Sequence, residues 1–213
     1  MNKYTIISYA TNNTPYVDLM RDYLQVSLTK FKLKYHLSTI EGGRTWYDNT
    51  ALKSQFVLDK LNELNEDVVW IDADAKVEKY PIFFDEIPEE YDISYHTLSW
   101  NQWYGYKGKD VKELLTGTMY FRNRKIVKDL CKEWHEEAVK SNEWEQKVLQ
   151  RIIGKYNLKV YPLPLEYIYI DSLPRGGKPI VKLDPVIRHY QASRMYKKTL
   201  HIRGMLDGRK KGN

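Results

Sequence analysis

The stretch Val68-Val69-Trp70-Ile71 is apolar at every position and is closed by Asp67 before it and Asp72 after it. A strand open to water on one face alternates apolar and polar residues. A short unbroken apolar run instead suits a strand covered on both faces. Three strand candidates occur in the first 75 residues, separated by helical patterns. Lys3–Ala10 is rich in Ile and Tyr and ends at the polar loop Thr11–Pro15. Val17, Met20, Leu24, Leu28 and Phe31 then fall on one helix face. Tyr35–Ile40 reads as a second strand, and Glu41–Thr50, with Gly42-Gly43, as a loop. A second helix is expected over Ala51–Asn65, with Val57, Leu61 and Leu64 inward. This alternation predicts a parallel sheet with helices on both faces. Ligands bind such sheets beyond the carboxyl ends of the strands. The loops after Ala10, Ile40 and Ile71 are therefore the first places to seek a site.

Beyond residue 75 the pattern is less regular. A short helix is expected at Tyr80–Ile87 and a short strand at Asp92–Tyr95. Thr97–Lys112 shows no periodicity and carries Trp100, Trp103, Tyr104 and Tyr106 with Lys107 and Lys109, so it reads as a long surface loop. Long loops in compact domains are often functional. Leu114–Arg122 reads as a strand, Arg124–Ser141 and Glu143–Tyr156 as helices, and Lys159–Tyr161 and Val186–Tyr190 as further strands.

The chain has 213 residues, enough for one domain with a substantial core. Its one cysteine, Cys131, forbids an internal disulfide and fits a reducing, cytoplasmic setting. The N-terminal apolar run is too short for a signal peptide. No apolar run approaches the ~20 residues of a membrane span. The net charge of +6 lies wholly in residues 194–213, which hold seven basic residues and one acid, so residues 1–193 are neutral overall. The expected division is a catalytic domain over 1–193 and a basic C-terminal tail over 194–213. A basic tail suits either an anionic partner or simple solvation.

Asp72-Ala73-Asp74 follows the all-apolar strand. Roughly one D-x-D is expected by chance at this composition, so position carries the information. Two carboxylates stand where a parallel sheet opens its cleft, and Ala73 between them is small. Hard cations such as Mg²⁺ or Mn²⁺ prefer carboxylate oxygens and share their shell with substrate phosphates.

Several segments resemble the nucleotide-diphospho-sugar transferases of the GT-A superfamily. Asp67-Val68-Val69-Trp70-Ile71-Asp72-Ala73-Asp74-Ala75 is similar to the family's strand and metal-binding turn. Lys53-Ser54-Gln55-Phe56-Val57-Leu58 resembles the preceding helix, which characteristically opens with a lysine, with Ser54 where proline is usual. Leu115-Thr116-Gly117-Thr118-Met119-Tyr120-Phe121-Arg122-Asn123 resembles the S-G-x-x-x-F-R-N strand, with Thr116 in place of serine. Trp144-Glu145-Gln146 is similar to W-D-Q, with a glutamate for the aspartate. Leu163-Pro164 with Tyr167 resembles a further stretch.

The resemblance implies a single-domain α/β GT-A fold, with a Rossmann-like mixed sheet flanked by helices. It also implies a nucleotide-sugar donor, UDP-type by preference, and Mn²⁺ or Mg²⁺. It points to His189 as a third metal ligand beside Asp72 and Asp74, with His96 as the alternative. The base and ribose are expected near Ala10, Thr11, Asn12 and Tyr16. Gly117 and Thr118 would line the sugar pocket, and Lys53 or the tail would contact phosphate. Glu145, with Gln146 beside it, is expected next to the sugar as base, nucleophile or hydrogen-bond acceptor.

The acceptor is open between a glycan or protein and a hydroxymethylated base in DNA, as some viral glycosyltransferases use. In the second case the 97–112 aromatics would stack on bases while the tail tracks phosphates. A metal-dependent nuclease or nucleotidyltransferase would collect more carboxylates than this one pair. A non-catalytic nucleic-acid-binding module leaves Asp72, Asp74 and Glu145 without a reason.

Overall fold

The computed structural model describes residues 3–12, 14–43, 45–141, 143–170, 181 and 183–193. The expected basic tail, 194–213, lies outside them.

The three expected strands form β1 (Tyr4–Thr11), β2 (Tyr35–Ile40) and β3 (Asp67–Ile71). They lie in the order β2-β1-β3, all parallel. Every residue of β1 is buried, as is β3 from Val68 to Ile71. Alternate side chains serve two cores. Tyr4, Ile6, Val69 and Ile71 join one, and Ile7, Tyr9, Val68 and Trp70 join the other. Helical chain connects β1 to β2, first as α1 (Tyr16–Leu19), then as a π-helical segment (Met20–Gln25), then as α2 (Val26–Lys30). Met20, Leu24 and Leu28 are its buried stripe, as their spacing requires.

The helix before β3 is α3 (Trp46–Leu64). It starts five residues earlier than apolar spacing suggested. Thr45 caps it and shares a reciprocal capping box with Asp48, which satisfies orphan N–H groups of the first turn. Lys53 therefore does not open this helix but sits one turn or more inside it.

Three further strands complete the main sheet: β5 (Ile93–Ser99), β6 (Lys112–Phe121) and β7 (Val160–Pro162). The sheet order is β2-β1-β3-β6-β5-β7. Only β6 runs against its neighbours, so the sheet is mixed. Helices α5 (Lys125–Ser141) and α6 (Glu145–Ile152) pack with α3 over the second core. A small second sheet is formed by β4 (Ala75–Val77), β9 (Ile187–His189) and β8 (Tyr169–Ile170).

The expected long loop at 97–112 is largely ordered structure. Strand β5 continues to Ser99, and α4 (Trp100–Tyr104) follows. Ser99 caps this helix through the Gln102 N–H, and Gly105 ends it at φ 65°, a left-handed value that favours glycine. Trp103 is 1% exposed and belongs to the core, so it offers no stacking face. Among the described residues no helix is long and apolar enough to cross a membrane.

Candidate active site

Strands β1 and β3 end at Thr11 and Ile71, and a cleft opens there. The turn after β3 shapes one wall. The Ala75 N–H donates to Asp72 O at 3.0 Å, and the Asp72 N–H donates to Gly117 O on β6 at 2.8 Å.

His189 reaches this turn because β9 pairs with β4, with His189 opposite Ala75. The Tyr190 N–H donates to Asp74 O at 3.2 Å, and the Ala192 N–H donates to Asp74 Oδ2 at 2.7 Å. Asp72, Asp74 and His189 each offer one donor atom, all within 4.8 Å of one another. His189 Nε2 lies 2.8 Å from Thr118 Oγ1. With the proton on Nε2, the ring donates to Thr118 and leaves the Nδ1 lone pair for a metal. A Cβ built on Gly117 would stand 3.2 Å from that Nδ1 and 3.3 Å from Asp72 Oδ2. Gly117 thus keeps clear the space these two atoms share.

The electrostatics fit a cation. Burial pushes the Asp74 carboxyl up to about 6, and the neighbouring Asp72 charge adds to this. Burial pushes the His189 imidazole down to about 4, so it is neutral at pH 7 and able to ligate. Two carboxylates and one neutral imidazole match the donor preferences of Mn²⁺ and, through their oxygens, Mg²⁺. His96 lies elsewhere. Its Nδ1 is 2.8 Å from Leu163 O, and it does not join the cluster.

A second cluster adjoins the first. Lys53 Nζ lies 3.0 Å from Asp72 Oδ1 and 2.9 Å from Glu145 Oε1. Burial alone would lower the Lys53 pKa, but the Asp72 and Glu145 carboxylates outweigh it and hold the ammonium above its ordinary range. Thr116 Oγ1 donates to Glu145 Oε1 at 3.0 Å. Glu145 Oε2, in contrast, is buried with no hydrogen-bond partner among the described residues. Trp70 Nε1 donates to Asp72 Oδ1 at 2.7 Å. Asp72 therefore turns Oδ1 to Lys53 and Trp70, while Oδ2 faces Gly117 and His189.

The remaining expected site residues divide. Ala10, Thr11, Tyr16, Gly117 and Gln146 line the cleft. Asn12 is exposed, and its N–H donates to Ile40 O at 2.8 Å; it is not part of the cleft wall. Thr118 is fully buried, with its Oγ1 against His189 Nε2. Gln146 is a brace, its Nε2 donating to Glu113 Oε1 at 2.7 Å. Lys53 lines the cleft and is held between two carboxylates. Sequence reasoning missed Trp46, Asn49 and Thr50, which line the cleft from α3. The Thr45-x-x-Asp48 capping signature would have placed them on that helix.

A family model for nucleotide-diphospho-sugar transferases matches residues 15–202. No curated protein sequence matches the chain. Among solved structures, the chain is similar to a glycosyltransferase involved in the glycosylation of the major capsid of PBCV-1. The TM-score is 0.67 at 15% identity, over 92% of this chain and 97% of that one. It is also similar to the glycosyltransferase GlyE of Streptococcus pneumoniae TIGR4, with a TM-score of 0.53 at 12% identity, over 97% of this chain and 61% of that one. Mouse xyloside xylosyltransferase 1 gives a TM-score of 0.50 at 11% identity, over 90% of this chain and 98% of that one. At such identities the likeness is one of fold, and that fold is GT-A.

Proposed function

Because this chain belongs to the nucleotide-diphospho-sugar transferase family, we propose that it moves a sugar from a nucleoside-diphosphate donor to an acceptor hydroxyl with a divalent cation at Asp72, Asp74 and His189. The observation that carries the metal dependence is the convergence of those three donors beside a glycine that leaves them room. A cation bound there neutralises the diphosphate and makes it a better leaving group.

The chain's own residues supply the rest. Ala10 and Thr11 at the end of β1, with Tyr16 at the start of α1, suit the nucleotide, with UDP the first choice. Lys53 is a positioning residue, since its ammonium fixes Asp72 and Glu145 at about 3 Å on either side. Glu145 Oε1 is already satisfied by Lys53 and Thr116, which leaves Oε2 to accept a hydrogen bond from a donor-sugar hydroxyl. The Lys53 and Thr116 contacts hold the carboxylate in one orientation, which favours the positioning role over proton abstraction. In the transfer, the bond from the anomeric carbon to the diphosphate oxygen breaks and its electron pair leaves with the diphosphate. The acceptor oxygen bonds to that carbon, and its proton passes to the diphosphate or to water.

The test is thermal stability with UDP, GDP or ADP, each with and without Mn²⁺. A metal-dependent rise is expected with one of them. Ligand at a hundredfold excess over Kd adds about 2.7 kcal/mol of stability. If no diphosphate shifts the transition in the presence of metal, the donor assignment is wrong.

A further inference from the structure

The wall of the cleft beyond Glu145 is aromatic. Trp144 is the residue just before α6, and Trp46 is the first residue of α3. Their rings meet with centroids 5.7 Å apart at 51°, and both line the cleft half-buried. Tyr104, at the end of α4, lines it as well. The placement is not incidental to α3. Trp46, Asn49, Thr50 and Lys53 are spaced so that one helix face is turned to the cleft. That face runs from the tryptophan at the helix start to the lysine that grips Glu145. Trp144 is the immediate neighbour of Glu145, so the Trp corner stands next to the carboxylate assigned to the donor sugar.

Among the described residues the lining of the cleft is acidic. Asp72, Asp74, Glu113 and Glu145 line the cleft against a single ammonium, Lys53. Lys53 is occupied by Asp72 and Glu145, and Glu113 is held by Trp100 Nε1 at 2.9 Å and by Gln146. Among the described residues, no guanidinium and no second ammonium lines the cleft. A cation at Asp72 and Asp74 would be matched by the donor's own diphosphate, so it does not make the wall attractive to a second polyanion. A nucleic-acid strand needs cations along its phosphates. An uncharged glycan needs none, and its ring faces suit flat amphipathic side chains flanked by a few polar groups.

We propose that Trp46 and Trp144, with Tyr104, form the acceptor subsite, and that the acceptor is the hydroxyl of a neutral glycan. This rests on the transferase reading above and extends it to the second substrate.

The experiment measures nucleoside diphosphate released from a panel of nucleotide sugars with Mn²⁺. Release is compared alone, with neutral p-nitrophenyl hexosides, and with a duplex oligonucleotide carrying hydroxymethylated cytosine. At least one hexoside is expected to raise release about tenfold or more, and the oligonucleotide to leave it unchanged. Trp46→Ala and Trp144→Ala should each raise the acceptor KM about tenfold while keeping the thermal shift with the diphosphate and Mn²⁺. Trp46→Tyr and Trp144→Tyr, which keep a flat ring and secure the result if the alanine variants fold poorly, should restore most of the affinity. Stimulation by the oligonucleotide and by no hexoside overturns the proposal, as does an unchanged acceptor KM in folded alanine variants. Loss of the diphosphate shift in the wild-type protein would instead overturn the transferase reading itself, so the two failures are distinct.

Discussion

Lys53 Nζ and Glu145 Oε1 meet at 2.9 Å with both side chains almost wholly withdrawn from water. The partners come from the middle of α3 and the start of α6, far apart in sequence. Removing the ammonium would leave Glu145, and beside it Asp72, as buried charge without compensation. Breaking a buried pair from one side costs about 3–5 kcal/mol. Lys53→Met should lower unfolding stability by about that amount in a urea titration. Replacing both residues, as Lys53→Met with Glu145→Leu, should cost less than the sum of the single changes, with a coupling on the order of 1–3 kcal/mol. Strict additivity would show that the contact is not energetically formed.

Asp74→Asn separates metal binding from folding. Asn keeps an oxygen for the Ala192 N–H, which Asp74 Oδ2 now accepts at 2.7 Å. It removes the negative charge from the cluster with Asp72 and His189. The variant should unfold within a few degrees of the wild type and lose the Mn²⁺-dependent shift with the diphosphate. Sugar transfer should fall by about two orders of magnitude or more, the scale on which loss of charge stabilisation at a leaving group is felt. An Asp74→Asn protein with wild-type metal response would show that the cation sits elsewhere.

Gly117 offers a subtler probe, because its cost is one of space. An added methyl carbon would lie 3.1 Å from His189 Cε1 and 3.3 Å from Asp72 Oδ2. His189 is fully buried and tied to Thr118, so the ring has little room to retreat. Gly117→Ala should therefore weaken Mn²⁺ binding about tenfold by calorimetry, a loss of about 1.4 kcal/mol. Far-ultraviolet circular dichroism should be unchanged, since Gly117 has no positive φ that a side chain would strain. Unaltered Mn²⁺ affinity in this variant would count against the three-residue site.

These residues also mark how far the sequence could be read. The Asp72-Ala73-Asp74 turn was legible because Val68–Ile71 is apolar on both faces, which fixes the strand end to within a residue. The joining of His189 to it was legible only through family resemblance, since it depends on β9 pairing with β4 across more than a hundred residues. The Lys53–Glu145 contact was not legible at all. Lys53 was expected on phosphate and Glu145 beside the donor sugar, and only the packing of α3 against α6 brings the two together. The segment 97–112 was misread because five-residue α4 is too short to show a period, although Ser99 and Gly105 bracket it as cap and stop. The π-helical stretch at Met20–Gln25 left no local mark that propensity could detect.

Cys131 gives a prediction about the core rather than the site. It is the chain's single cysteine, fully buried in α5 among the residues of the second core. Burial pushes its thiol up to about 12 from an ordinary 9.0. The thiolate is the reactive species, so the folded protein should resist alkylation or disulfide exchange at pH 8, where an exposed cysteine reacts readily. Reaction should appear only in urea, with a midpoint that follows global unfolding. The same shift has a sign in pH. A folded-state pKa above the unfolded one gives stability that is fully present below about 9 and lost as pH rises towards 12. Cys131→Ala should therefore show a flatter fall in stability across that alkaline range than the wild type, beside a constant penalty for the small cavity. Rapid labelling of the native protein at pH 8 would mean that α5 opens locally without global unfolding, and that the second core is not closed around the thiol.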